Sequence, residues 1–392
     1  MRFFTIWLMV ITTLQWMTLD LYLPALPVLK VELGISESLL NVSLNTGIIA
    51  CAVGTLVSGT LSDRYGRKSM LFFGLITAAA AYFLCSFSNG IVLLSLMRGI
   101  GGLGTGFVLT ITTAMIKDSF SGRRFKRNMT VLQSIAVLGP IVAPSLGSVI
   151  INFSSWRFLF VFFGAVTAIS LLPMIPSTET WPLEKRTVAS FRQMLAEAGE
   201  IITSRSFSLF LAIMALLTIP VWAYVSVSSY VYINDFGLSN LLYGAFYAVG
   251  SLLSFLAPFI YMTLTKFMKT GRVVTIAICC LAAGGSLLIL CGRFDPLLFL
   301  AGVLPIMIAE GIIRPLGMAV LLEDNSGAVG TASALMQFVL NLVGIVGTSL
   351  ATLRWPSMIL GVAVVALGCA AGAVVCWIAV RKQGLMKKSL NR

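Results

Sequence analysis

Twelve long apolar runs constrain this chain more than any other feature of its sequence. Each is about 20 residues long, which is the length that an α-helix needs to cross the hydrocarbon core of a bilayer, and short loops join most of them. Only 10% of the residues are charged, against roughly 25% in a typical soluble domain. A spanning helix satisfies its own backbone polar groups. The sequence therefore predicts an all-α integral membrane protein with twelve transmembrane helices.

The distribution of basic residues predicts how these helices are oriented. With twelve spans both termini lie on one side, and 21 of the 27 lysines and arginines fall in loops on that side. Cytoplasmic loops carry the excess of basic residues, so we expect both termini in the cytoplasm. The net charge of +13 is then a consequence of topology. It does not indicate nucleic-acid binding, because no aromatic-rich basic domain lies outside the membrane.

The longest polar loop divides the chain into two halves. It covers residues 176–206 and separates a predicted bundle of six helices at 1–175 from a second at 207–380, which is followed by a basic cytoplasmic tail at 381–392. Apolar residues recur in the loop at helical spacing, which predicts an amphipathic helix on the cytoplasmic surface. Those residues are Phe191, Met194, Leu195, Ala198 and Ile202. Paired halves are one design of membrane transporter.

Several classes of protein are excluded by what the sequence lacks. It has no histidine, and its seven cysteines lie within or at the ends of apolar runs without the spacing of zinc ligands. We therefore expect no metal, no cofactor and no disulfide framework. No arrangement of nucleophile and base indicates an enzyme. A passive channel is the remaining alternative of another class.

Short motifs carry a resemblance to a known family. The segment Gly59-Thr-Leu-Ser-Asp63-Arg64-Tyr-Gly66-Arg67-Lys68 matches the loop pattern G-x-L-a-D-R-x-G-R-K, apart from Ser62 in the small-residue position. The segment 19–27, LDLYLPALP, is similar to a first-helix ending, D-x-Y-L-P-A-L-P. The segment 330–335, GTASAL, is similar to an eleventh-helix opening.

Two further motifs match imperfectly. Arg98, Gly102 and Gly104 fit a fourth-helix pattern, R-x-x-q-G-x-g, in which Gly101 replaces the usual glutamine. Residues of the fifth span are similar to an antiporter motif that bends the helix in the family. They are Gly139, Pro140 and Pro144, with Ile135 in the place of the motif's leading glycine and Pro144 where a glycine is common.

On these motifs the chain resembles the major facilitator superfamily, and within it the twelve-helix drug:proton antiporters of the bicyclomycin and chloramphenicol resistance (Bcr/CflA) branch. The resemblance implies two pseudo-symmetric six-helix bundles around a central cavity, in the bacterial inner (plasma) membrane. It implies a monomer that exports small amphiphilic drugs by alternating access, in exchange for protons. The alternative within the superfamily is export of an endogenous metabolite such as a sugar, an amino acid or a siderophore.

Few charged residues lie inside the predicted spans, and such residues are costly there and rarely face lipid. Asp20 lies in the outer part of the first span, where a partly desolvated carboxyl group can take up and release a proton. Arg98 is its candidate partner. The resemblance implies a proton or substrate role for the acidic residue and a role in proton coupling for the arginine. The alternatives are that Asp20 caps a neighbouring helix or pairs permanently with an arginine, and that Arg98 is only a structural ion-pair partner or a ligand of backbone carbonyl groups. Glu310 and Arg314 lie four residues apart on the tenth span and can form either a structural clamp or a second relay.

Two further sets of residues complete the prediction. A cytoplasmic latch between the halves is expected, in which Asp63 faces the positive end of the eleventh helix; the alternative is that its charges only enforce topology. Its members are Gly59, Asp63, Arg64, Gly66, Arg67, Lys68 and Asp118. Aromatic residues that can stack on a planar or cationic cargo are also expected to line the cavity. The candidates are Trp16, Tyr22, Trp222, Tyr224 and Tyr230.

Overall fold

A computed structural model describes residues 2–120, 122–182, 184, 196, 199–324 and 329–382. Side chains are described throughout these ranges except at 2–3, 122–123, 125–127, 130, 133–138, 140–141, 318–319, 322–324, 329–331 and 333–334. Most of the predicted amphipathic linker helix, and the basic tail beyond residue 382, lie outside the described residues. No β-strand occurs among the residues that are described.

The chain divides into two compact units. The first comprises Met1–Phe191 with Ser239–Ala245, and the second comprises Arg192–Leu238 with Phe246–Arg392. The first unit contains α1 (Arg2–Asp20), α2 (Leu26–Leu33), α3 (Glu37–Tyr65), α4 (Arg67–Ser86), α5 (Ile91–Ser119), α6 (Gly122–Phe153) and α7 (Trp156–Ile169). The other helices are α8 (Arg205–Ser229), α9 (Asn240–Phe267), α10 (Thr270–Cys291), α11 (Pro296–Asp324), α12 (Val329–Ala351) and α13 (Met358–Lys382).

Membrane-spanning length is reached by most of these helices. Within the described ranges, ten helical segments are apolar and long enough to cross a bilayer, and one of them, Phe4–Leu33, includes both α1 and α2. Two shorter apolar stretches, Val142–Phe153 in α6 and Leu335–Ala351 in α12, complete the series. The prediction of an all-α membrane protein with twelve spans is confirmed.

The first span is broken near its outer end. Helix α1 ends at Asp20, a single 3-10 turn covers Leu23–Ala25, and α2 begins at Leu26. Proline has no backbone N–H and restricts the residue before it, so it fits best in the first turn of a helix, where no N–H needs a partner within the helix. Pro24 and Pro27 occupy those first-turn positions in the 3-10 turn and in α2. The break exposes the last carbonyl groups of α1 to side chains from neighbouring helices.

Helices α3 and α5 approach each other closely through glycine. A Cβ atom on Gly102 would lie 2.2 Å from the Gly47 carbonyl oxygen, and one on Gly106 would lie 2.3 Å from the Cys51 carbonyl oxygen. Small residues let helix backbones come this close in lipid. This packing fixes α5, and with it Arg98, against α3 and the end of α1.

Candidate functional site

Arg98 binds the broken end of α1. Its Nη1 donates to the Thr18 carbonyl oxygen at 3.0 Å, and its Nη2 lies 3.5 Å from the Leu19 carbonyl oxygen. The guanidinium also stacks on the ring of Tyr22, with 4.2 Å between Cζ and the ring centroid. A cation is favoured at the C-terminal end of a helix, where carbonyl groups lack partners within the helix. Arg98 therefore caps α1 immediately before Asp20.

Asp20 and Arg98 form no direct ion pair. The residue is 8% exposed, yet among the described side chains no ion pair or hydrogen bond to its carboxylate occurs within the usual distances. The structure thus brings Asp20 and Arg98 to the same end of α1 but directs the arginine's donors to backbone carbonyls. A buried carboxylate without a partner is costly, and protonation removes that cost.

A chain of neutral side chains supports the same helix end. The Tyr82 hydroxyl donates to Thr18 Oγ1 at 2.8 Å and lies 2.9 Å from Thr105 Oγ1. Thr105 Oγ1 lies 2.9 Å from Gln15 Oε1, and Gln15 Nε2 lies 3.4 Å from Thr167 Oγ1. These residues were not among the predicted site residues. Their only signal was that polar side chains recur in spans that are otherwise apolar.

The predicted cavity aromatics are placed separately in the two units. In the first, Tyr22 is buried and its hydroxyl lies 3.0 Å from Ser43 Oγ, while Trp16 is half-buried on α1. In the second, Tyr224 stacks on Tyr247 with 6.0 Å between ring centroids and 17° between ring planes. Tyr224 and Tyr230 are buried, and Trp222 is half-buried. Their assignment to a cavity remains a prediction.

The second unit also contains the predicted charge pair. Glu310 and Arg314 form an ion pair along α11, with the carboxylate side chain 9% exposed and the arginine side chain 45% exposed. In α6 of the first unit, Gly139 and Pro144 are buried within one continuous helix. A Cβ on Gly139 would lie 3.0 Å from the Thr13 carbonyl oxygen, so this glycine packs on α1. The side chain of Pro140 lies outside the described residues.

At the start of α4, Arg67 contacts two other predicted latch residues, Asp63 and Asp118. Its Nη1 lies 2.6 Å from Asp63 Oδ1, and its Nε donates to Asp118 Oδ2 at 2.9 Å. The same Nη1 donates to Ser62 Oγ at 2.6 Å. Gly66, just before α4, has φ of 96°, a backbone conformation that favours glycine. By contrast Arg64 is exposed, and a Cβ on Gly59 would meet nothing within 4 Å.

Two partners of this network, which follow the sixth span, were not among the predicted site residues. Glu179 accepts hydrogen bonds from the backbone amides of Arg67 at 3.0 Å and Lys68 at 3.1 Å, so its carboxylate caps α4. The Arg67 guanidinium lies over the Trp181 ring at 4.9 Å. Lys68 Nζ donates to the carbonyl oxygens of Ile175 and Ser177. The contact that was expected between Asp63 and the eleventh span stays a prediction.

Comparisons with known proteins agree with this architecture. A family model described as Major Facilitator Superfamily matches residues 8–348. An uncharacterised MFS-type transporter, YdgK, of Bacillus subtilis is 27% identical over 84% of this chain and 83% of its own length. The chloramphenicol resistance protein CraA of Acinetobacter baumannii is 23% identical over 82% of this chain and 78% of its own length.

Further matches point in the same direction. The multidrug resistance protein MdtL of Klebsiella pneumoniae is 26% identical, over 85% of this chain and 83% of its own length. Among solved structures, the nucleoside transporter NupG superposes with a TM-score of 0.73 at 15% identity, covering 97% of this chain and 99% of that one. At that identity the structural likeness shows the fold alone.

Proposed function

The chain belongs to the Major Facilitator Superfamily, and from that premise we propose that it exports small amphiphilic toxic compounds in exchange for protons. As a member of this family it is a multi-pass membrane transporter and not an enzyme. We place it in a bacterial inner membrane with both termini in the cytoplasm, acting as a monomer. The names of two relatives, a chloramphenicol resistance protein and a multidrug resistance protein, support a drug as cargo.

One observation carries the proposal of proton exchange. The Asp20 carboxylate is almost buried and forms no direct ion pair among the described side chains, since the Arg98 donors bind the carbonyl oxygens of Thr18 and Leu19. A carboxyl group in such surroundings favours its neutral form until water or cargo reaches it. Asp20 then binds a proton from the outer side and releases it to the cytoplasm as cargo leaves. Arg98 modulates that exchange.

Expression in an efflux-deficient bacterium tests the function directly. We expect the wild-type chain to raise chloramphenicol tolerance and to drive chloramphenicol transport in everted vesicles under a pH gradient. Asp20→Asn removes the titrating group and should abolish the gradient-driven transport. Glu37→Gln is the matched control, because this carboxylate is paired with Lys30 and outside the proposed site.

The outcomes separate the candidates. Gradient-driven transport that survives unchanged in Asp20→Asn would overturn the assignment of the proton site. A broad screen without any drug phenotype, together with one metabolite retained in cells that lack the gene, would favour a metabolite exporter. Transport of chloramphenicol without accumulation against its gradient would favour a passive channel.

A further inference from the structure

Thr18, near the end of α1, is contacted by both α4 and α5. Its carbonyl oxygen accepts from Arg98 Nη1, and its hydroxyl accepts from Tyr82. The same hydroxyl donates to the Gln15 carbonyl oxygen at 2.7 Å. One residue of α1 is therefore held by α4 through its side chain and by α5 through its backbone. Movement of Thr18 therefore shifts the carbonyl oxygen that accepts the hydrogen bond from Arg98.

The hydroxyl groups behind Thr18 make more hydrogen-bond contacts than they have hydrogens. The hydroxyls of Thr18, Tyr82 and Thr105 have one hydrogen each, but they take part in four contacts. These join Thr18 to the Gln15 carbonyl, Thr18 to Tyr82, Tyr82 to Thr105, and Thr105 to the Gln15 amide. Thr18, Tyr82, Thr105 and Gln15 are each at most 3% exposed, so the network is shielded from bulk water. Removing the Tyr82 hydroxyl takes away the hydrogen bond that Thr18 Oγ1 accepts, and with it the side-chain contact that ties Thr18 to α4.

Arg98 keeps one unused hydrogen-bond donor. Its Nε is buried and has no partner among the described residues. The Leu19 carbonyl beside Nη2 belongs to the peptide bond that leads into Asp20, so the carboxylate is one residue away from the present contact. Whenever Asp20 is ionised, charge attraction favours a move of Arg98 toward the carboxylate, and a charge-assisted hydrogen bond to it would be stronger than one to a carbonyl. A further contact must therefore hold the guanidinium against the Thr18 carbonyl oxygen.

We propose that Tyr82, with Thr105 and Gln15 behind it, is the positioning residue that holds the Thr18 carbonyl against Arg98 and so keeps Arg98 from pairing with Asp20. This inference rests on the proposed role of Asp20 as the proton site. Tyr82 touches neither proton nor cargo in this scheme. It acts through Thr18, and its loss converts Asp20 from an unpaired carboxyl group into half of an ion pair.

Carbodiimide labelling tests the proposal without a known cargo. Dicyclohexylcarbodiimide reacts with protonated carboxyl groups in apolar surroundings, and mass spectrometry of the purified full chain locates the adduct. We expect labelling at Asp20 in the wild type and about tenfold slower labelling in Tyr82→Phe, because a cation at ion-pair distance favours the unreactive carboxylate by at least that factor. Thr105→Val should act in the same direction, and Thr105→Ser, which keeps the hydroxyl, should restore the wild-type rate.

Two controls give the experiment its specificity. Thr12→Val removes another buried hydroxyl contact between α1 and α5, the 2.9 Å pair of Thr12 and Thr112, and should leave labelling unchanged. In an Arg98→Ala background Tyr82→Phe should have no further effect, because the cation that it releases is gone. Equal labelling in wild type and Tyr82→Phe, or an unchanged effect of Tyr82→Phe without Arg98, would overturn the positioning role alone. Absence of labelling at Asp20 in the wild type would overturn both this role and the proposed proton site.

Discussion

The Glu179 carboxylate accepts the backbone N–H of Arg67 at 3.0 Å and so caps helix α4 from a segment that follows the sixth span. Carboxylates are favoured at a helix N-terminus, where backbone N–H groups lack partners and the helix dipole is positive. Here the same carboxylate also accepts from the Lys68 amide. The segment around Glu179 is therefore part of the charged network at Arg67.

Removing this cap should destabilise the protein measurably. We expect Glu179→Ala to lower the free energy of unfolding by about 1 kcal/mol, the usual value for loss of a helix N-cap. Thermal unfolding in detergent measures the change. Glu184→Ala, an exposed acid in the same segment, should have little effect. Equal melting temperatures for Glu179→Ala and the wild type would show that the cap adds no stability.

Arg67 should be the most sensitive residue of the charged network. Its side chain is 8% exposed and that of Asp118 is 9% exposed, so Arg67→Ala leaves a buried carboxylate without its cation. Breaking such a pair costs about 3–5 kcal/mol. Arg64→Ala is the control, because Arg64 is exposed and is expected to matter by less than about 0.5 kcal/mol.

A double-mutant cycle on unfolding tests the pairing itself. Adding Asp118→Asn to Arg67→Ala removes the unpaired charge, so the double variant should be less destabilised than the sum of the two single changes. Strict additivity would mean that the two side chains do not depend on each other.

The close approach of α3 and α5 predicts opposite effects of the same substitution at two glycines. Gly102→Ala would place a methyl group 2.2 Å from the Gly47 carbonyl oxygen, which is backbone and cannot rotate away. We expect a loss of about 1–3 kcal/mol from overpacking. Gly59→Ala meets nothing within 4 Å and should be neutral or stabilise α3 by up to about 1 kcal/mol. Melting temperatures that fall equally would contradict this account.

The proposed orientation can be checked by cysteine accessibility. In a chain whose seven cysteines have been replaced, Asn89→Cys should react with an impermeant maleimide in intact cells, and Arg124→Cys only after lysis. Both positions are exposed, so access and not burial decides the result. The reverse pattern would place both termini outside and overturn the argument from basic residues.

The membrane helices and the rare charged residues within them could be predicted from the sequence, because hydropathy and charge determine both. Spans of about 20 apolar residues identify membrane helices because lipid leaves a helix few alternatives. Charged residues inside spans are rare, so Asp20 and Arg98 could be singled out before their surroundings were known. Asp20 ends α1, and the Arg98 side chain reaches the same helix end from α5, where it binds carbonyls and not the carboxylate. Their role as a functional pair stays a prediction.

Contacts between neutral or distant residues could not be predicted in this way. Tyr82 and Thr18 are 64 residues apart, and neither residue type is unusual in a membrane helix. Glu179 and Arg67 are 112 residues apart, and an acid in a polar linker ordinarily indicates only a solvated loop. Partner choice in both cases depends on how helices pack, which local sequence patterns do not encode.

Glu310 and Arg314 provide the last prediction, because both the clamp and the relay hypotheses include their ion pair. The two residues lie on one helix, and the acid is far more buried than the base. A clamp therefore predicts an asymmetry: Arg314→Gln leaves a buried carboxylate uncompensated and should destabilise the protein more than Glu310→Gln, which leaves a cation that reaches water. It also predicts that Glu310→Gln retains chloramphenicol transport driven by a pH gradient. A Glu310→Gln variant of wild-type stability that loses this transport would identify Glu310 as part of the relay.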